Sequence, residues 1–382
     1  MLVTANGATQ RPTHRKPGWH AKSIPPSVAH GRARRIVSNE TGVWSKSFRQ
    51  RAYLVFAIRE EQSKRLLLER CAPSPAVSWL RRVKGPDRMT AYPMVLQSLR
   101  AASPGCRVLE ITTTAGCIVR CTYCPQDKFA DRQRPVSQAK YLGLQDFERC
   151  LARVPTATDI SFAGYSEPWL HPKCTRMVEH AYARGHGIRI FTTLVGMNGS
   201  DVRRLQMLQF RAFVVHVPDD GTYMNSRLIG KSYLNVMRRL VEANIPSVRF
   251  VVLGKVHPDL ADIIPAKALE RLRPLSSRRG RLESSIIKPR RPVVGPLRCI
   301  GKQHHRNVLL PNGDVTLCGM DFERRHVLGN LLCNEYAYLL EGPLFHEIAD
   351  RMNGMDGFLL CRMCEFASPR PSGCDMDADQ QS

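Results

Sequence analysis

Short β-rich runs alternating with amphipathic stretches from Cys106 onward predict an α/β protein built around a parallel sheet, with a small cysteine-bearing module behind it. Two features sharpen this: three cysteines crowd directly after the first candidate strand, and an Asn-Gly turn between two apolar runs opens the C-terminal part. Five strands read clearly at Arg107–Thr112, Asp159–Phe162, Ile188–Thr193, Phe213–Val217 and Val248–Leu253, and Ser284–Ile287 is a weaker sixth. Between them Lys231–Ala243 is the best helix. Tyr233, Val236, Met237, Leu240 and Val241 follow the i, i+3, i+4, i+7, i+8 stripe of a packing face, and Asn244 can end it.

After the Pro- and Arg-rich link Lys288–Pro296, the runs Asn307–Leu310 and Asp314–Leu317 flank Pro311-Asn312-Gly313. This predicts a hairpin whose two central turn residues both take positive φ. Glu335–Arg351 reads as one helix, and Cys361-Arg-Met-Cys364 closes the module.

The chain has 382 residues, 43% hydrophobic and 24% charged, enough for two or three domains with a sizeable core. Apolar runs such as Ala52–Ile58 fall far short of the ~18 residues that span a bilayer, so a membrane partner is not expected. No apolar h-region follows the early basic residues, and thirteen cysteines, an odd number with one tight cluster, favour metal ligation in a reducing cytoplasm over disulfides. The net charge of +24 would suit nucleic acid, but +14 of it sits in residues 1–105, with 19 Lys and Arg against 5 Asp and Glu. Aromatics are 7% and no nucleic-acid recognition motif is visible, so a metal-binding nucleic-acid protein is the weaker alternative. Residues 1–40 show no hydrophobic period and read as disordered, and residues 50–102 could hold one or two interrupted helices. The first hundred residues read as a solvated basic tail, sequence upstream of a start such as Met89, a transit peptide, or an arm that grips a leader peptide or nucleic acid.

Cys117, Cys121 and Cys124 place three thiols within eight residues at a strand's C-terminal end, where βα proteins put their chemistry. Iron–sulfur clusters are usually held by four thiolates, so a compact set of three leaves one iron open to a ligand that is not protein. Half of a zinc site is the other reading. Cys299, Cys318, Cys361 and Cys364 form a second set of four thiols, able to ligate a second cubane completely or a zinc ion. Cys71, Cys106, Cys150, Cys174 and Cys333 have no partner spacing and read as isolated buried thiols.

Cys-x3-Cys-x2-Cys with an aromatic, Tyr123, before the last cysteine resembles the motif of the radical S-adenosylmethionine (radical SAM) superfamily. The C-terminal spacing, with Leu328–Leu331 as Leu-Gly-Asn-Leu, resembles the shortened "twitch" form of the SPASM auxiliary-cluster domain. The resemblance covers about residues 106–366. It implies an α/β fold with a partial open (β/α)6 TIM-like barrel over 106–290 and a small α/β twitch module over 291–374, after a basic extension (1–105) and before a tail (375–382). It implies a 4Fe-4S cluster that binds S-adenosyl-L-methionine, an auxiliary 4Fe-4S cluster, and an electron donor such as flavodoxin or ferredoxin. In the family, one electron from the cluster cleaves the sulfonium and yields a 5′-deoxyadenosyl radical that abstracts a hydrogen atom from substrate.

Phe162-Ala-Gly-Tyr-Ser-Glu-Pro168 is similar to the family's Gly-Gly-Glu-Pro turn, with Glu167 for the methionine ammonium and small Gly164 and Ser166 for close backbone approach. Tyr165-Ser166 departs from the family's two glycines. Thr192 and Thr193 would contact cofactor polar groups, and His216 and Asp219 could reach ribose or carboxylate. A fully ligated auxiliary cluster implies an oxidoreductase that removes two electrons from a sugar or cyclitol alcohol, with a peptide-modifying maturase as the alternative. Asp321 is the candidate base for the hydroxyl proton, or simply a hairpin-end residue.

Overall fold

The structure, a computed structural model, describes residues 107–272, 291–300, 306–355 and 357–370. Six parallel strands follow one another: β1 (Val108–Ile111), β2 (Asp159–Phe162), β3 (Ile188–Thr192), β4 (Ala212–His216), β5 (Val248–Val252) and β6 (Leu269–Arg271). Each pairs with the next in sequence order, the singly wound arrangement that right-handed βα crossovers produce. The intervening helices include α1 (Gln126–Gln133), α2 (Leu144–Leu151), α3 (Cys174–Ala183), α4 (Gly199–Leu205), α5 (Lys231–Ala243) and α6 (Pro258–Ala261).

Alternation along each strand sorts the faces. Leu109, Ile111, Ile160, Phe162, Ile190 and Phe213 join one buried cluster with helix residues such as Phe147, Met177 and Met237. The alternate residues face the other way, and register sets Glu110 beside Ser161 and Ser161 beside Arg189 on that inner face. There Arg189 pairs with Asp159 at 2.8 Å and Arg306 with Glu110 at 3.0 Å. This sheet curls with its apolar side under helices and a polar side within, as a partial barrel requires.

After these come β7 (Leu297–Cys299), β8 (Arg306–Leu309), β9 (Asp314–Thr316), β10 (Val327–Asn330), α7 (Tyr336–Glu341), α8 (Pro343–Asn353) and β11 (Ala367–Pro369). β8 lies parallel against β1, so the hairpin β8–β9 and then β10 extend the barrel sheet to nine strands among the described residues, with β6 and β10 at its edges there. A separate two-stranded sheet pairs β7 with β11. The hydrogen-bonded sheet thus continues across the boundary expected at 290/291.

Most expected elements appear within a residue or two of their sequence limits. α5 buries Tyr233, Val236, Met237 and Leu240 and ends on Asn244 in the left-handed region (φ 46°). Three readings differ, and a fourth falls outside the described residues. Leu269–Arg271 adds a strand that the pattern does not predict, and the expected strand Ser284–Ile287 lies outside the described residues, as do 1–106. The hairpin turn has positive φ only at Gly313: its N–H donates to Leu310 C=O, Pro311 and Asn312 fill a type I turn, and Gly313 supplies the left-handed bulge. The single helix expected over 335–351 is broken at Gly342-Pro343, where Gly342 is extended and Pro343 starts a new helix with no N–H to donate. Cys150 and Cys174 are buried free thiols as expected, but Cys333 is disulfide-bonded, which its spacing does not disclose.

Candidate active site

Cys117, Cys121 and Cys124 stand on the β1–α1 connection as half-buried free thiols. Arg120, at φ 51°, turns the chain between the first two, and Cys124 N–H donates back to Cys121 C=O at 3.0 Å. A second loop braces this one: Thr122 N–H donates to Tyr223 C=O (2.9 Å), and Asn225 N–H to Val119 C=O (3.4 Å). Asp219 holds that brace. Its buried carboxylate accepts from the N–H groups of Gly221, Tyr223 and Met224 at 2.9–3.2 Å.

Burial pushes the Cys117 thiol up, and pushes Cys121 up to about 12, with the charges of Cys124 and Cys117 adding to it and a hydrogen bond from Tyr123 opposing. The Tyr123 hydroxyl is raised in turn by burial and by Cys121. Two neighbouring thiols that resist ionisation, with a third beside them, are a donor set that needs metal charge to become thiolates. That chemistry fits an iron–sulfur cluster. Among the described residues no three His, Cys, Asp or Glu side chains converge on a point suited to one metal ion. A cubane does not ask for that, since each thiolate binds a different iron.

The turn after β2 meets this loop. The backbone of Glu167 faces the Cys117 thiol and opposes the rise that burial gives it. The Glu167 carboxylate, itself buried, accepts at one oxygen from Thr192 Oγ1 (2.6 Å) and Trp169 N–H (3.2 Å), and at the other from Thr193 N–H (2.6 Å) and Thr193 Oγ1 (2.8 Å). Burial nevertheless outweighs these donors and holds its pKa above the usual carboxylate value. Tyr233 steadies the far side by donating to Thr193 C=O at 2.8 Å.

Gly164 is needed by the strand beside it. At φ +58° a Cβ would stand 2.4 Å from Thr112 Oγ1, so the close approach it permits is to strand β1. Ser166 Oγ and, on the inner sheet face, Ser161 Oγ are buried without a hydrogen-bond partner. His216 is half-buried at the end of β4, in register with Val251.

The second thiol set comes from three places. Cys299 ends β7, opposite Ala367 of β11; Cys318 follows β9; Cys361 lies within a 3-10 turn (Leu360–Met363) and Cys364 caps it. All four line one cavity walled by apolar side chains, among them Leu297, Leu317, Phe345, Ile348 and Phe366. Burial pushes the Cys318 thiol well up, and Cys361, Asp321 and Cys364 add to it. Four thiols in an apolar pocket fit a fully ligated metal group. Arg362, between the paired cysteines, is buried and donates to the carbonyls of Val293, Gly295, Arg351 and Gly354 at 2.9–3.0 Å. Asp321 is fully buried, and its oxygens accept from the N–H groups of Arg325 (2.9 Å) and His326 (2.8 Å). It serves the 318–326 turn and presents no exposed oxygen to a hydroxyl group.

The structure therefore gathers Cys117, Cys121, Tyr123, Cys124, Glu167, Thr192 and Thr193 in one place, with Asp219 acting through the bracing loop. Thr112, Tyr165, Tyr233 and Arg362 were not anticipated. The signals were a threonine run before the cysteine motif, Tyr165 in place of a family glycine, Tyr233 at the head of the α5 stripe and an arginine inside Cys-x-x-Cys.

In its cysteine spacing the chain resembles the motif of radical SAM enzymes with a C-terminal twitch or SPASM-like module. No family model matches the chain, and no curated protein matches it. Among solved structures it is similar to BtrN in complex with AdoMet and 2-DOIA (19% identity, TM-score 0.44, covering 65% of this chain and 87% of that one). It is similar to anSMEcpe with bound AdoMet and Cp18Cys peptide (13%, TM-score 0.43, covering 68% and 86%). It is also similar to Streptococcus suis SuiB bound to precursor peptide SuiA (13%, TM-score 0.45, covering 63% and 66%).

Proposed function

We propose that this protein is a radical SAM oxidoreductase. Cys117, Cys121 and Cys124 would hold a 4Fe-4S cluster with one open iron, and S-adenosylmethionine would bind there against Glu167. The observation that carries this reading is the nearness of a buried carboxylate, Glu167, to the three-thiol loop at the C-terminal ends of parallel strands. When bound, the cluster supplies the electron that cleaves the sulfonium, releasing a 5′-deoxyadenosyl radical that takes a hydrogen atom from substrate.

The chain's own residues position the ligand. Glu167 offers a desolvated negative charge to the methionine ammonium, but its two oxygens already carry four donors. Two of these are rotatable hydroxyls. Turning away, Thr192 and Thr193 free lone pairs for the ammonium and present their own oxygens to the ligand. The Asp219 loop keeps the thiol loop from following.

The four C-terminal thiols would hold the auxiliary cluster that accepts the second electron, which makes a two-electron oxidation the net outcome. The polar inner face, with Glu110, Asp159, Ser161 and Arg189, suits a hydroxyl-rich sugar or cyclitol better than an apolar peptide side chain. A flavodoxin or ferredoxin would supply electrons, in keeping with a described structure in which no helix is long and apolar enough to cross a membrane.

The test is anaerobic iron and sulfide content of the reconstituted protein, with dithionite-driven formation of 5′-deoxyadenosine. We expect about eight irons per chain, four per cubane, and product formation that Cys121→Ala abolishes. Full product formation by Cys121→Ala would sink the proposal.

A further inference from the structure

Tyr165 stands in the Gly164–Pro168 turn, yet its side chain leaves the turn altogether. The ring is 1% exposed, between Phe129 of α1 (centroids 5.0 Å apart) and Phe322 (4.4 Å). Its hydroxyl donates to the Cys318 carbonyl at 2.9 Å and lies 3.0 Å from Thr316 Oγ1. At the other end, Tyr165 N–H donates to Thr112 Oγ1 at 3.0 Å, and two residues later the Glu167 backbone faces the Cys117 thiol. One stiff side chain therefore joins the turn at the first thiol set to a residue that carries a thiol of the second. Phe129 ties in the helix that begins just after Cys124.

We infer that Tyr165 couples the two thiol sites, so that filling the C-terminal set strengthens S-adenosylmethionine binding at the Glu167 turn; this rests on the proposed function. An empty C-terminal set leaves the Cys318 loop looser, and Tyr165 loses the fixed carbonyl it donates to. The Glu167 turn then starts from a wider ensemble, and ordering it costs binding free energy. Coupling of this kind is reciprocal: S-adenosylmethionine tightens the C-terminal site by the same factor. Tyr165 touches neither ligand and is a positioning residue.

The test is a double-mutant cycle on reconstituted full-length protein, reading the dissociation constant of S-adenosylmethionine by equilibrium dialysis. Emptying the C-terminal set with Cys361→Ala and Cys364→Ala weakens binding about 5-fold or more when Tyr165 is present, the lower end of ordinary allosteric coupling. In a Tyr165→Phe background, which keeps the ring and removes only the hydroxyl, the same change costs less than about 2-fold. Phe322→Leu is the control: it loosens the same packing but keeps the hydroxyl, so it lowers stability and preserves the coupling. Equal factors in the Tyr165 and Tyr165→Phe backgrounds overturn the inference. If the wild type binds no S-adenosylmethionine, the proposed function fails, and the link is read on the thiols alone by cobalt(II) titration of Cys121→Ala protein. There Tyr165→Phe weakens uptake by the C-terminal set about 5-fold or more, and unchanged uptake overturns the inference.

Discussion

The two thiol sites of this chain are built in opposite ways. The first hangs three half-buried thiols on a loop, beside a carboxylate and two threonine hydroxyls, at the open ends of parallel strands. The second draws four thiols from three separate segments into an apolar pocket, with a buried arginine between two of them. Three ligands among polar groups leave a metal group incomplete and approachable, whereas four ligands among leucines and phenylalanines complete it and shield it. The first arrangement suits binding and cleavage of a ligand. The second suits holding an electron.

The strongest way to break this contrast is to empty one site at a time. Cys361→Ala with Cys364→Ala should lower iron from about eight to about four per chain while 5′-deoxyadenosine formation survives. If the wild type holds only about four irons and a zinc ion instead, the second site is structural and the oxidoreductase reading loses its electron acceptor.

Next in size is the arginine that braces the closed site. Arg362→Met leaves four carbonyls, two of them buried, short of a donor and should cost about 2–4 kcal/mol of stability, read by denaturant unfolding. The same change at exposed Arg238 on α5 should stay within about 0.5 kcal/mol. Equal effects at the two positions would remove Arg362 from the account of the closed site.

At the open site the loss should appear in binding instead. Glu167→Gln removes the charge offered to the ammonium and should weaken S-adenosylmethionine binding by about 10-fold or more, the scale of one hydrogen bond to a charged group. Iron content should not change. A variant that loses iron equally would place Glu167 in support of the thiol loop.

The smallest expected effect concerns the scaffold shared by both sites. His186 is buried, its ring N–H donates to Thr158 C=O at 2.9 Å, and its other nitrogen has no partner. Burial holds its pKa below the usual 6.5. The unfolded chain therefore binds a proton that the folded chain refuses. Its contribution to stability is fully present above pH 6.5 and is lost as pH falls below that value toward the lowered folded pKa. Melting temperature should drop by a few degrees at most, roughly what 1 kcal/mol produces in a domain this size, and His186→Gln should flatten the slope. An unchanged slope would assign it to other groups such as His171, whose pKa is lowered in the same direction.

Local pattern made much of this legible in advance. Strand alternation located five of the parallel strands, and the stripe from Tyr233 to Leu240 located α5 with its Asn244 end, because burial on one face imposes period 2 or 3.6 wherever it occurs. The close spacing of Cys117, Cys121 and Cys124 confined three thiols to one loop whatever the rest of the chain did. The Gly342-Pro343 break was also local, but the apolar stripe running through it masked it.

What tertiary structure alone decided was which distant residues meet. Pairing of β8 with β1 joins segments nearly two hundred residues apart, and no local pattern encodes that register. The same pairing brings Tyr165 to Cys318 and seals Asp321 inside its own turn, and β7 meeting β11 carries Cys299 toward Cys361 and Cys364. The sequence by itself determined which chemistry the chain carries, since thiols, a carboxylate and their spacing are covalent facts. The tertiary structure decided how the two sites touch, because contacts across a folded sheet depend on the packing of the whole chain.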